Sequence, residues 1–169
     1  MLITPEELAL HRIEVSETYA PGKLDYHGAE FRQSAPLKVQ ASAGLAGAEI
    51  RIQGSLKTRI EAWCDRCLAP VEIAVDPEFD LFYRPVTDIA REEEIEISRD
   101  DLEIGFYSGR GIEFTDVVTE QVILSVPMKV VCKEDCRGLC PVCGVNRNVE
   151  ACQCAPVTGT SPFASLKER

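Results

Sequence analysis

Residues 48–64 read AEIRIQGSLKTRIEAWC, with Ile50, Ile52, Gly54, Leu56, Thr58, Ile60 and Ala62 at every second position. Between them stand mostly charged or polar residues: Glu49, Arg51, Gln53, Lys57, Arg59 and Glu61. A period of two with one wetted face marks an antiparallel strand, or a bent pair of strands, that buries its other side. The pattern resumes at Val71, Ile73, Val75, Phe79, Leu81 and Tyr83 after the interruption Cys64-Asp65-Arg66-Cys67-Leu68-Ala69-Pro70. That interruption reads as the tip of a β-hairpin carrying a cysteine pair.

Working outward, residues 85–101 form an acidic loop around Arg91-Glu92-Glu93-Glu94. Leu102, Ile104 and Phe106 then alternate up to the turn Ser108-Gly109-Arg110-Gly111. The next stretch predicts a helix capped by Thr115, with Asp116 and Glu120 favouring its start and Pro127 closing it. Val117, Val118, Val122, Ile123 and Leu124 cover more than one stripe of that helix, so it should be well buried. On the N-terminal side, Thr4-Pro5-Glu6-Glu7 predicts a short helix over about residues 5–10, with Thr4 as cap and Glu7 completing a capping box. From there to about residue 36 the signal is weak, apart from the turn Tyr19-Ala20-Pro21-Gly22. The expected fold class is α+β: a mainly antiparallel β-sheet body with a packed helix, and a C-terminal cysteine-rich, zinc-ribbon-like tail.

The chain has 169 residues, 45% of them hydrophobic and 27% charged, which is a globular composition. At this length roughly 70% of the unfolded surface can be buried, so disulfides are not needed for folding. No run approaches the 18 apolar residues of a membrane span, and MLITPEELALHRIEV lacks the basic and apolar regions of a secretory leader. A cytoplasmic protein without membrane partners is expected. The net charge of −10 argues against sequence-blind binding to nucleic acid or anionic membrane. It is unevenly spread: residues 1–128 carry 12 basic and 24 acidic side chains, residues 129–169 carry 6 and 4. The expected division is an acidic body, 1–128, which includes the hairpin tip, and a mildly basic cysteine-rich tail, 129–169.

Six of the eight cysteines lie in that tail, spaced C-x3-C-x3-C-x2-C-x8-C-x-C from Cys132 to Cys154. Tetrahedral zinc takes four ligands, usually as two close pairs separated by a loop. Cys140 and Cys143, followed by Gly144, with Cys152 and Cys154 meet that requirement and form the leading quartet; Cys132 and Cys136 are alternative ligands. Four thiolates on Zn²⁺ leave a charge of −2, which Lys133, Arg137 and Arg147 could offset. Disulfides or idle thiols are the competing readings, and reduced cysteines are the default where no secretion signal stands. Such a site would be structural, with no coordination position left open for chemistry.

Three readings compete for Cys64 and Cys67: a redox-active C-x-x-C, half of a second metal site shared with Cys132 and Cys136, and a structural or partner-contacting tip. The last is preferred. A redox motif is expected to open a helix, where a thiol pKa falls, whereas this pair sits between strands. His11 and His27 lie in weakly patterned sequence, and the acidic stretch 92–103 lacks calcium-loop spacing. There is no phosphate-cradling glycine loop and no G-x-S-x-G. The chain is therefore read as a non-enzyme with no evident small-molecule substrate.

The motif Cys64-Asp65-Arg66-Cys67-Leu68 resembles the C-x-R-C-L signature of the YceD family of large ribosomal RNA subunit accumulation proteins. The resemblance continues through Asp116-Val117, Glu120-Gln121-Val122-Ile123-Leu124-Ser125-Val126-Pro127, the run Cys132 to Gly144, and Pro162-Phe163-Ala164-Ser165-Leu166. It implies a cytoplasmic role in synthesis, processing or stability of large-subunit rRNA, with large-subunit ribosomal precursors as partners. Contact would run through rRNA, using Arg66, Lys129, Lys133, Arg137 and Arg147, or through basic ribosomal proteins that complement the acidic body. Two other functions fit the residues: a thiol or zinc redox switch, with Arg66 lowering the neighbouring thiol pKa, and a structural zinc-ribbon module of another complex.

Overall fold

The computed structural model describes residues 1–86 and 104–155. The chain divides into two compact units: Met1–Ala62 with Glu72–Met128, and Trp63–Val71 with Lys129–Arg169. The C-terminal segment of the second unit begins at Lys129. The hairpin tip, however, groups with the tail rather than with the acidic body, because the backbone of Asp65 and Arg66 bonds to tail residues.

The first unit is α+β. Its elements, in chain order, are β1 (Leu2–Ile3), α1 (Pro5–Leu8), β2 (Ile13–Tyr19), β3 (Phe31–Gln33), β4 (Leu37–Ala46), β5 (Glu49–Trp63), β6 (Pro70–Val75), β7 (Glu78–Pro85), β8 (Ile104–Tyr107), β9 (Ile112–Glu113) and α2 (Phe114–Leu124). β5 is one unbroken strand of 15 residues and the axis of the sheet. Its N-terminal half pairs antiparallel with β4 and with β7, while β3 pairs further along at Ile60–Ala62. The order β2-β4-β5-β7-β8 is antiparallel except at its end, where β8 runs parallel to β7.

The expected strand pattern after the hairpin tip divides into two strands at Asp76-Pro77. Proline has no N–H for the ladder, and its ring restricts the residue before it. The left-handed Gly22 (φ 80°) makes the expected turn after β2, closed by Lys23 N–H to the Ala20 carbonyl at 3.1 Å. Near the middle of β5, Gly54 lies opposite Ala41 and Phe79, and a Cβ there would stand 2.4 Å from the Gln40 carbonyl oxygen. Only glycine lets the neighbouring strand come this close.

The core follows parity. Ile50, Ile52, Leu56, Ile60 and Ala62 on β5 are buried, as are Leu37, Val39, Ala41 and Ala43 on β4. Phe114, Val117, Val118 and Val122 of α2 belong to the same core cluster. Thr4 caps α1 as expected, accepting from Glu7 N–H at 3.3 Å, although the helix ends at Leu8. α2 starts earlier than Thr115: Glu113 occupies the cap position without a side-chain bond, because β9 runs straight into the helix. Leu124, expected among the buried positions, is exposed at the last helical residue.

Most of the acidic stretch around Arg91-Glu92-Glu93-Glu94, and Leu102, lie outside the described residues. Among the described residues, no helix is long and apolar enough to cross a membrane.

Candidate metal centres

Strand parity delivers the first ligand. The buried positions of β5 are even-numbered, and continuing that alternation past Trp63 makes Cys64 fully buried while leaving Trp63 exposed. The chain then turns tightly: Leu68 N–H donates to the Cys64 carbonyl at 2.9 Å, and Cys64 N–H to that of Ala69 at 2.8 Å. Leu68 adopts a left-handed φ of 56° to close the turn. The same turn recurs in the tail, where Gly144 N–H donates to the Cys140 carbonyl at 2.9 Å and Gly144 has φ 73°. Both C-x-x-C pairs thus sit on one design, with a left-handed residue directly after the second cysteine.

At Gly144 that conformation is inexpensive; at Leu68 it costs about 1–2 kcal/mol. Leu68 is also 60% exposed, so little packing offsets the cost. Leu68→Gly is therefore expected to leave metal stoichiometry unchanged. It should shift stability by between zero and about 1 kcal/mol in the favourable direction, the added unfolded-state entropy of glycine cancelling part of the gain. Denaturant titration of both proteins checks this; a loss above 1 kcal/mol would mean the leucine side chain carries contacts that outweigh the strain.

Each turn presents its cysteines to two more. Cys64, Cys67, Cys132 and Cys136 bring their four Sγ atoms within 4.8 Å of one another, and so do Cys140, Cys143, Cys152 and Cys154. In the first quartet, Cys64 Sγ lies 3.9 Å from Cys136 Sγ, and Cys67 Sγ 3.6 Å from Cys132 Sγ. All eight cysteines are free of disulfides. Either quartet could hold a metal ion, and the all-sulfur donor sets suit a soft or borderline cation.

The hairpin tip is fastened to the tail by its own intervening residues. Asp65 N–H donates to the Val130 carbonyl at 2.9 Å, and Val130 N–H returns a bond to the Asp65 carboxylate at 2.7 Å. Arg66 Nη1 donates to the carbonyls of Glu134 (3.2 Å) and Cys136 (3.1 Å), and its own carbonyl accepts from Leu139 N–H at 2.9 Å. Gly138 allows this approach, because a Cβ there would stand 2.9 Å from the Arg66 carbonyl oxygen. Ala69, Val71, Val131 and Leu139 pack around the buried Cys64, Cys67 and Cys136.

The sulfurs are unequal acids. Burial pushes the Cys64 thiol up, but N–H donation from Cys132, Arg66 and Cys67 outweighs it and brings the thiol down to about 6. Cys140 is lowered to about 6 by the N–H groups of Cys143 and Val142. Cys154 is pushed up to about 12, first by hydrogen bonding to Cys143 and then by burial. Each C-x-x-C turn therefore favours a thiolate at its first cysteine, the ionised form that binds metal.

The structure thus gathers Cys140, Cys143, Cys152 and Cys154 as one group. It places Cys132 and Cys136 not with that group, their first reading as alternative ligands, but with Cys64 and Cys67, the second-site grouping that stood behind the preferred structural or partner-contacting tip. Arg66 bonds to tail carbonyls. Of the cations expected to offset thiolate charge, Arg147 donates through Nε and Nη2 to the Arg137 carbonyl, at 3.2 and 3.0 Å, and Lys133 lies 3.7 Å from Asp135. The sequence reading passed over Asp65 and Asn148. Asp65 carries a signal in hindsight: a short acceptor inside a C-x-x-C turn can meet a free backbone N–H.

The profile of the YceD family, described as large ribosomal RNA subunit accumulation protein YceD, matches residues 52–168. This chain belongs to the YceD family. The matched span starts on β5 and takes in both cysteine quartets of this YceD-family chain. Among curated relatives, a chloroplastic large ribosomal RNA subunit accumulation protein YCED homolog 1 of Zea mays is 26% identical over 172 residues, covering 87% of this chain and 58% of the relative. An uncharacterized protein of Mycobacterium tuberculosis strain H37Rv is 28% identical over 130 residues, 75% of this chain and 59% of its own. The uncharacterized protein YlbN of Bacillus subtilis strain 168 is 24% identical over 126 residues, covering 72% and 66%. The chain spans about three fifths of the length of the first two relatives. No solved structure gives a significant match.

Proposed function

We propose that this chain is a non-enzymatic factor in large-subunit ribosome biogenesis, supporting synthesis, processing or stability of large-subunit rRNA through protein or RNA contacts. The observation that carries the reading is the family match over residues 52–168, which takes in the sheet from β5 onward together with all eight cysteines. The maize relative's name states the same accumulation role. The acidic excess of residues 1–128 suits basic ribosomal proteins as the docking partner, since complementary charge speeds encounter and fixes register.

Zinc is the metal we assign to both quartets, the second of them forming a zinc-ribbon-like tail. Zn–S bonds of about 2.3 Å around a tetrahedral ion set sulfur–sulfur edges of about 3.8 Å. The two separations of 3.9 and 3.6 Å in the hairpin quartet lie on either side of that edge. With four sulfurs on each ion, the metal holds the second unit together and performs no chemistry.

Depletion of the protein tests the functional reading. Mature large-subunit rRNA should fall relative to small-subunit rRNA, and sedimentation should place the protein with large-subunit precursors in a salt-sensitive manner. An unchanged rRNA ratio in depleted cells would sink the assignment.

A further inference from the structure

We infer that the two quartets bind metal as a coupled pair, and that Asn148 is the positioning residue through which each centre strengthens the other. The inference rests on the metal reading above but concerns neither the identity of the ion nor the ribosomal role.

Asn148 lies in the stretch 144–151, the loop that joins the Cys140/Cys143 pair to the Cys152/Cys154 pair of the tail quartet. Its side chain nevertheless serves the other quartet: Nδ2 donates to Cys136 Sγ at 3.3 Å. The amide's orientation is fixed from its oxygen side, where Oδ1 accepts Arg137 N–H at 2.9 Å. A flipped amide would lose that acceptor and present oxygen to sulfur. Nδ2 also bonds Asn146 Oδ1 at 2.9 Å, which accepts Asn148 N–H as well at 3.0 Å. The loop is laid against the Cys136–Cys140 segment by Arg147 N–H to the Gly138 carbonyl at 3.0 Å and Cys140 N–H to the Val145 carbonyl at 2.9 Å. Three residues, Arg137, Gly138 and Leu139, separate Cys136 from Cys140.

Closing the tail quartet on an ion therefore orders the loop that aims Asn148 at a ligand of the hairpin quartet. A donor fixed on a thiolate stabilises its charged, metal-binding form, as outer-shell partners do at metal sites generally. The ion that enters the hairpin quartet second does not bear the ordering cost again, which is positive cooperativity. Linkage makes the effect mutual: metal in the hairpin quartet strengthens the tail quartet by the same factor.

The test is a Co²⁺ titration of the reduced full chain, read by thiolate-to-metal charge-transfer absorption, on the unsubstituted protein and five variants. Cys152→Ser with Cys154→Ser leaves the hairpin quartet alone, and Cys64→Ser with Cys67→Ser leaves the tail quartet alone. Asn148→Ala is added to the full chain and to each of these. Disabling the tail quartet should weaken Co²⁺ binding at the hairpin quartet about ten- to hundredfold, and Asn148→Ala in the otherwise unaltered chain should do the same at the weaker binding step. Added to the chain that lacks the tail quartet, Asn148→Ala should change nothing further. It should also leave the lone tail quartet's affinity unchanged, so a general loss of folding is separable from a lost hydrogen bond. Equal hairpin affinity with and without the tail quartet would overturn the coupling, as would an equal loss on Asn148→Ala in the two chains that keep a single quartet. Two ions bound independently overturn the coupling alone; failure to bind two ions overturns the zinc assignment with it.

Discussion

A chain carrying Cys64→Ser and Cys67→Ser will bind one metal ion fewer than the unsubstituted chain and lose the order of its second unit around residues 129–139. In zinc-finger peptides a structural zinc contributes an apparent 10–16 kcal/mol, on the order of 10 or more, at neutral pH. That matches or exceeds the roughly 5–15 kcal/mol that holds an ordinary domain together. The unit has little else to rely on: its buried cluster consists of Cys64, Cys67 and Cys136, with four partly buried apolar neighbours. The Asp65–Val130 clasp and the Arg66 bonds to Glu134 and Cys136 depend on the tip and tail already being together. The first unit has its own core cluster and should keep its sheet signal. Metal content by mass spectrometry, with amide exchange across 129–139, decides the matter. Two ions retained, or protection unchanged, would show that the hairpin cysteines do not hold a metal.

The second large effect belongs to the first unit. Phe114 is fully buried at the start of α2, and its N–H bonds the Met1 carbonyl at 2.9 Å. Phe114→Ala removes a ring from the core cluster at the point where β9 passes into the helix, and the expected cost is about 3–5 kcal/mol. For a unit of this size that lowers the melting midpoint by roughly 4 °C per kcal/mol. Metal stoichiometry in the folded protein should not change, so thermal unfolding with parallel metal analysis separates the two effects. A loss below 1 kcal/mol would mean that the site collapses to fill the space.

The parts of this fold that the sequence announced are those whose apolar alternation is long and uninterrupted. β5 was legible because Ile50 to Ala62 keep strict parity over most of the strand. β4 obeys the same parity, but its buried positions include Ala41 and Ala43, whose small side chains hardly raise the local hydrophobicity. β2 is broken up by Glu17 between Val15 and Tyr19, and β3 is three residues long. The parallel placement of β8 beside β7 is a long-range property that no local period encodes.

Of the sites, spacing alone could group Cys140, Cys143, Cys152 and Cys154, since a single loop joins the two pairs. It could raise but not decide the grouping of Cys132 and Cys136 with partners 65 or more residues earlier, because no local spacing encodes a contact made only when the tail folds onto the hairpin tip. Asn148 was invisible for a related reason. An asparagine in a polar loop has no distinguishing neighbour until the fold brings Cys136 to it.

The second unit is assembled from two pieces of chain, Trp63–Val71 and the segment from Lys129 onward, with 57 residues of the first unit between them. During synthesis the hairpin tip therefore leaves the ribosome with two unpartnered thiols and waits for the partners encoded after α2. β5 and β6 can pair around the tip meanwhile, which holds Cys64 and Cys67 in one turn before Cys132 and Cys136 are made. The tail quartet has no such delay, because its four cysteines emerge within 15 consecutive residues. One centre is thus closed locally as it is made, and the other is closed by Cys132 and Cys136 returning to an early turn.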